Sequence, residues 1–138
     1  KEAALLYGYR QADAQFEALK LTSEPWENIQ RIMTCYLHMV TLDDMHTIRQ
    51  IYICHIKYHD AYFFDEQRSI FKLLANELEQ LVPHGAVAAI TWGLLTHSRG
   101  LIYHACCLQD DQIEPDWHQT QLRELMDYLA YRIQTHKG

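Results

Sequence analysis

The stretch from Ala86 to Leu108 carries one firmly charged side chain, Arg99, and apolar residues on every side of the helix it would form. Ile90, Leu94, His97, Leu101, His104 and Leu108 share one face, while Val87, Leu95, Ile102 and Cys106 populate others. A helix apolar nearly all round has to be covered on more than one side. The rest of the chain must therefore wrap it, and in a domain this small the second side is expected to meet a partner subunit. Its longest uncharged apolar run, Ala86 to Thr96, is too short to span a bilayer, so no membrane association is expected.

The remaining segments also read as helices. Glu2 to Lys20 has apolar residues at Ala3, Leu6, Tyr7, Ala14 and Phe16. Thr22 and Ser23 offer a capping hydroxyl ahead of Pro25. Glu24 to Thr41 follows, with Trp26, Ile29, Met33, Tyr36 and Val40 at steps of three and four. Asp43 or Asp44 would cap a third helix, Met45 to His59, whose face is Ile48, Ile51, Tyr52, His55 and Tyr58. A fourth is expected from Asp60 or Ala61, with Ile70, Phe71, Leu74, Leu78 and Leu81 inward, until Pro83-His84-Gly85 stops it. The polar segment Gln109 to Pro115 reads as a loop before a last helix, Asp116 to Thr135.

With 5 Gly and 3 Pro in 138 residues, the chain has too few turn formers for an all-β sandwich. At 49% hydrophobic it suffices for one core. The expected fold is all-α, an antiparallel bundle of about six helices in a single domain over residues 1–138.

The formal net charge is -6, and the 12 basic residues are dispersed, so this stretch is a poor nucleic-acid binder by itself. Cys35, Cys54, Cys106 and Cys107 make no disulfide framework and suit reduced thiols in the cytoplasm. The opening Lys1 suggests a domain trimmed from a longer protein. Enzyme signatures are missing. Ser23, Ser69 and Ser98 sit in no nucleophile elbow, the Gly are scattered, and no Cys pair has zinc-ligand spacing. Asp43-Asp44 and Asp110-Asp111 fall where caps and solvated charge are the ordinary reading.

Histidines and aromatics stand out instead. His55 and His59, four apart, could share a metal with Asp60, or His59 could end its helix while His55 sits hydrogen-bonded in the core. His97 and His104, seven apart on an apolar face, either pair across the core or line a cavity, and a haem site in the bundle is a further option. Met33, Tyr36, Tyr52, Tyr58, Phe71, Trp92 and Tyr103 combine apolar bodies with hydrogen-bonding tips, the composition of a pocket for an apolar molecule bearing a few polar groups. A helical enzyme using His55 or His97 as general base ranks last, because neither is paired with a nucleophile.

Three places resemble the C-terminal ligand-binding and dimerisation domain of the TetR family of bacterial transcriptional repressors. They are the opening Lys1-Glu2-Ala3-Ala4-Leu5-Leu6, the run Trp92-Gly93-Leu94-Leu95-Thr96-His97-Ser98-Arg99-Gly100-Leu101-Ile102, and the order of helices ending in a polar loop and one amphipathic helix. Ile51-Tyr52-Ile53-Cys54-His55-Ile56-Lys57 resembles a run in the AcrR-type regulators of multidrug efflux, although Tyr58 and His59 stand near where that subgroup tends to carry a Cys-Glu pair.

The resemblance implies a homodimer built from the last two helices, a small lipophilic effector bound among helices two to five, and DNA contacted only through a helix-turn-helix domain upstream of Lys1. Effector binding would favour a subunit orientation that separates the recognition helices and lifts repression, with an efflux system as the regulated target. No cofactor is expected. The cavity lining expected on this basis is Met33, Tyr36, His55, Phe71, Trp92 and His97. The expected dimer face is Leu95, Arg99, Ile102 and Cys106 on the fifth helix with Leu122, Met126 and Leu129 on the last.

Overall fold

A computed structural model describes residues 2–38, 40, 45–59 and 61–137, with side chains from residue 10 onward except those of residues 62, 63 and 137. The described residues form α1 (Glu2–Glu17), α2 (Pro25–Leu37), α3 (Met45–Tyr58), α4 (Ser69–Leu78), α5 (His84–Cys106) and α6 (Trp117–Lys137), with no strand among them. Single 3-10 turns at Ala61–Phe64 and Asp110–Gln112 precede α4 and α6. The chain is an all-α bundle. The expected caps Asp43 and Asp44, the third ligand Asp60, the helix end at Thr41 and the side chains of Ala3, Leu6 and Tyr7 lie outside the described residues.

Helix α5 is the hub. It packs against α3, α4 and α6, while α2 lies on α4 and α6, and α1 on α4 and α2. Three neighbours in the same chain thus cover the inward sides of α5, while Ala89, Thr96, Gly100 and Tyr103 stay exposed along another. Leu95 (1% exposed), Ile102 (3%), Met126 (6%) and Leu129 (0%) belong to the intrachain core. Leu95, Ile102 and Leu129 have almost no surface left for a dimer contact, and Met126 has little. Of the other residues expected on that face, Arg99, Cys106 and Leu122 are half-buried.

Two buried hydroxyls on α5 are satisfied locally. Thr91 donates to the Val87 carbonyl and Ser98 to the Leu94 carbonyl, each at 2.7 Å, so they sit in the core without a stranded polar group. Gly93 makes room for α6. A Cβ there would stand 2.5 Å from the Tyr128 hydroxyl, which accepts a hydrogen bond from Arg132 at 2.9 Å.

Local chemistry shifts three boundaries from their expected places. Before α4, the Asp65 carboxylate accepts the Gln67 N–H at 2.9 Å and its carbonyl accepts the Arg68 N–H at 3.3 Å. That turn competes with helix, so the segment after residue 60 makes one 3-10 turn and α4 starts only at Ser69. Likewise α4 ends at Leu78, and Pro83 does not stop it but serves as the extended N-cap of α5 (φ -58, ψ 144), where its missing N–H costs nothing. At α2 the N-cap is Glu24, not a hydroxyl residue. Thr22 acts just outside the helix, its Oγ1 accepting the Glu24 N–H at 3.1 Å.

A buried amide locks the entry to α2. Asn28 Oδ1 accepts the Thr22 N–H (2.7 Å) and hydroxyl (3.1 Å), while Nδ2 donates to the Thr22 carbonyl (2.8 Å) and to Glu77 Oε2 on α4 (3.1 Å). Asn28 and Glu77 are both buried. Helix α1 is tied to the start of α4, where the Ser69 hydroxyl donates to Glu17 at 2.9 Å and Arg68 Nε stands 3.9 Å from Asp13.

Candidate functional site: a cleft between α3 and α5

Arg49 sets the registry of α3 on α5. Its guanidinium donates to the carbonyls of Cys106 (Nε, 3.1 Å) and Leu108 (Nη2, 2.9 Å) and pairs with Asp110 at 2.8 Å. The Cys106 carbonyl is an orphan at the end of α5, where a cation is favoured by the helix dipole, and Leu108 lies just beyond it. Burial pushes the neighbouring Cys106 thiol up to about 11, against the opposing pull of Arg49.

With that end clamped, α3 and α5 diverge around a cleft of about 440 Å³. Helix α3 contributes Tyr52, His55, Ile56 and His59, the 3-10 turn contributes Phe64, and α5 contributes Arg99, Gly100 and Tyr103. The α3 residues recur at steps of three and four, which places them on one face. The rings of Tyr52 and Tyr103 face one another across the cleft at 6.3 Å between centroids. Phe64 is 71% exposed and Ile56 59%, so the mouth presents large apolar side chains to solvent. Burial, and then the nearby Tyr36, raise the Tyr52 hydroxyl well above the ordinary phenol range. A hydrogen bond with Cys107 raises Tyr103.

His59 has φ 54, in the left-handed region, and its N–H closes the end of α3 on the His55 carbonyl at 3.0 Å. That conformation costs a side-chain-bearing residue roughly 1–2 kcal/mol. His59→Gly is therefore expected to raise stability by about 0.5–1 kcal/mol while removing an imidazole from the cleft. Urea denaturation checks it, and a loss of stability would show that the imidazole holds the helix end by contacts of its own.

Of the six residues expected to line one cavity, only His55 lies in the cleft. Met33, Tyr36 and Phe71 are core residues. Trp92 packs its ring, tilted, against Phe71 at 4.8 Å between centroids and donates its indole N–H to Glu66 at 3.0 Å. His97 meets Tyr128 of α6 edge-on at 4.9 Å, while His104 is exposed, so those two imidazoles share no site. Arg99, expected at a subunit face, is among the residues that line the cleft.

His55 and His59 do share a site, the cleft wall, but no three His, Cys, Asp or Glu converge among the described residues. Of the α3 face expected from spacing, Ile48, Ile51, Tyr52, His55 and Tyr58, only Tyr52 and His55 line the cleft, joined by Ile56 and by His59, which the sequence pairs with His55. On α5 only Tyr103 carried such a signal, as one of the pocket-forming aromatics, because Arg99 and Gly100 look like one more side of an apolar helix.

A second groove, about 410 Å³, is lined by Trp26 and Gln30 of α2 and by Leu122, Met126 and neighbouring residues of α6. Among the described residues no helix is long and apolar enough to cross a membrane. No protein-family model, curated protein or solved structure matches the chain.

Proposed function

We propose that the chain is the effector-binding domain of a TetR-type transcriptional repressor, and that the cleft between α3 and α5 takes a small lipophilic molecule. The observation that carries this reading is the make-up of the cleft. Its volume suits a small organic ligand, its walls are aromatic and aliphatic, and its polar groups are few and borne on the tips of Tyr, His and Arg. The helix order, with an antiparallel pair α5–α6 after a cleft-forming α3, supports the family resemblance.

A contact route leads from the cleft towards α1. Tyr52 in the wall is close to Tyr36 of α2, and the Tyr36 ring meets Phe16 of α1 edge-on at 6.1 Å. Ligand pressed against Tyr52 would bias Tyr36 and Phe16, and α1 would pass that bias to a DNA-reading domain preceding it. A two-fold pair of chains belongs to the same reading. Its contact would use the exposed sides of α5 and α6, where Tyr131 is 65% exposed, because the inward residues are already consumed. Control of an efflux system remains part of this proposal.

The test is a titration of isotope-labelled protein with decanol and with decanoate, followed by amide chemical shifts. Either probe is expected to move the signals of Tyr52, His55, Gly100 and Tyr103, and to reach Phe16. Binding that leaves Phe16 unmoved would remove the lever from the proposal. If both probes leave the cleft signals in place, the effector-binding reading fails.

A further inference from the structure

Two neighbouring cysteines close α5. Cys106 is half-buried at its last position and Cys107 is exposed at its C-cap, and both are free thiols. Consecutive residues across a trans peptide hold their Cα atoms about 3.8 Å apart. The two sulfurs are therefore tethered within reach of one small centre. Cys35 on α2 and Cys54 on α3 have no such neighbour in sequence. Among the described residues no three His, Cys, Asp or Glu converge, so the pair offers two protein donors and not three.

We propose that Cys106 and Cys107 form a chelating site for a trivalent arsenical, with the arsenic bridging the two sulfurs at the end of α5. Neither cysteine is among the residues that line the cleft, so the site is separate from it and does not rest on the effector-binding reading. In the reaction with an arsenoxide, two S–H bonds and the arsenic–oxygen double bond break, and two As–S bonds form. The oxygen leaves with both thiol protons as water. Arsenic stays trivalent throughout, so no oxidant or reductant takes part.

The donor set favours this chemistry over that of a divalent cation. Zinc requires thiolates and a set of four ligands in a structural site. Here there are two sulfurs, and burial pushes the Cys106 thiol up to about 11, which keeps it protonated at neutral pH. A trivalent arsenical reacts with neutral thiols, and its own substituent supplies the third bond of its pyramidal centre. Its two sulfur bonds meet near a right angle, which adjacent residues can span. A linear two-coordinate ion such as monovalent copper needs its sulfurs on opposite sides.

The local structure sets what closing the chelate costs. The peptide between the cysteines is held on both sides, its carbonyl by Arg49 at 3.1 Å and its N–H by the carbonyls of Tyr103 and His104 at 3.2 and 3.0 Å. Tyr103 also shares a hydrogen bond with Cys107. The thiols must then converge by rotation about their Cα–Cβ bonds, with the loss of one weak sulfur hydrogen bond. Two covalent As–S bonds outweigh that bond and two fixed rotamers. The exposed Cys107 meets the reagent first, and Cys106 closes the ring as an intramolecular step.

The test treats the reduced full chain with phenylarsine oxide, then with excess mercaptoethanol, and reads the intact mass. One phenylarsenic group per chain is expected to survive the monothiol and to be removed by dimercaptopropanol, because a chelate resists exchange with single thiols. Cys106→Ser and Cys107→Ser are each expected to lose the surviving adduct, while Cys35→Ser keeps it. Circular dichroism confirms that the variants are folded. If Cys106→Ser is not, the exposed Cys107→Ser and peptide mapping of the wild-type adduct decide. An adduct that mercaptoethanol strips from the wild-type chain, one that survives in Cys107→Ser, or one that maps to Cys35 or Cys54 overturns the proposal and leaves the effector-binding reading untouched.

Discussion

Ile102→Asp is expected to destabilise the chain by roughly 4–5 kcal/mol, and by the same amount at every protein concentration. Ile102 is 3% exposed and belongs to the core formed by α5 and its neighbours within one chain. The substitution forfeits the apolar burial of a large side chain, about 1.5–3 kcal/mol, and forces a carboxyl to be buried unpaired or protonated. Together these reach roughly 4–5 kcal/mol, close to the low end of the roughly 5–15 kcal/mol by which folded domains are stable. Urea denaturation followed by far-UV circular dichroism over a range of protein concentrations checks it. An Ile102→Asp monomer of undiminished stability would mean that this face of α5 is covered by a second subunit rather than by the chain itself.

The second large effect is expected at Asn28. Its amide uses both N–H donors and accepts twice on its oxygen, and the four bonds join the α2 entry to Glu77 on α4. Asn28→Ala removes all four together and strips a buried carboxylate of its amide partner. The expected cost is about 2–4 kcal/mol, since an orphaned buried polar or charged group bears its full desolvation penalty.

Adding Glu77→Gln to Asn28→Ala should recover part of that loss, because no charge then remains to be buried. The two substitutions should be strongly non-additive in a double-mutant cycle. Urea denaturation of the four proteins measures both quantities. A cost below about 0.5 kcal/mol for Asn28→Ala would place this network among ordinary exposed polar contacts.

These two positions also show where reading residues in order succeeds and where it stops. The helices of the core were legible because burial imposes a period of 3.6 on apolar residues. Ile29, Met33 and Tyr36 of α2, and Ile70, Phe71, Leu74 and Leu78 of α4, all lie buried where that period put them. Asn28 and Glu77 carried no such signal. They are 49 residues apart, and a polar residue on an amphipathic helix reads as solvated unless its partner is known.

The Asp65 turn misled in a different way. The apolar pattern ran on across it, while a side chain bonding to nearby backbone ended the helix locally. The cleft was half legible. One helix supplied a periodic stripe of Tyr and His, but Arg99 on α5 was read as a subunit contact. A charge on an apolar helix shows that the site is special without showing which neighbour it faces.

The sequence by itself determined the helical class, the approximate extent of each long helix and the need for α5 to be covered on more than one side. All of these follow from short-range periodicity and from the free energy of burying apolar surface. Tertiary structure decided what surrounds α5, that Leu95, Ile102, Met126 and Leu129 are spent inside one chain, and that Tyr52, His55, His59, Arg99 and Tyr103 meet around one cleft. The physical reason is the range of the forces. Periodicity records whether a side chain is buried, whereas its partner depends on how helices far apart in the chain are turned against each other. In this protein that rotation is set by long-range polar clamps such as Arg49 on the end of α5 and Asn28 on Glu77.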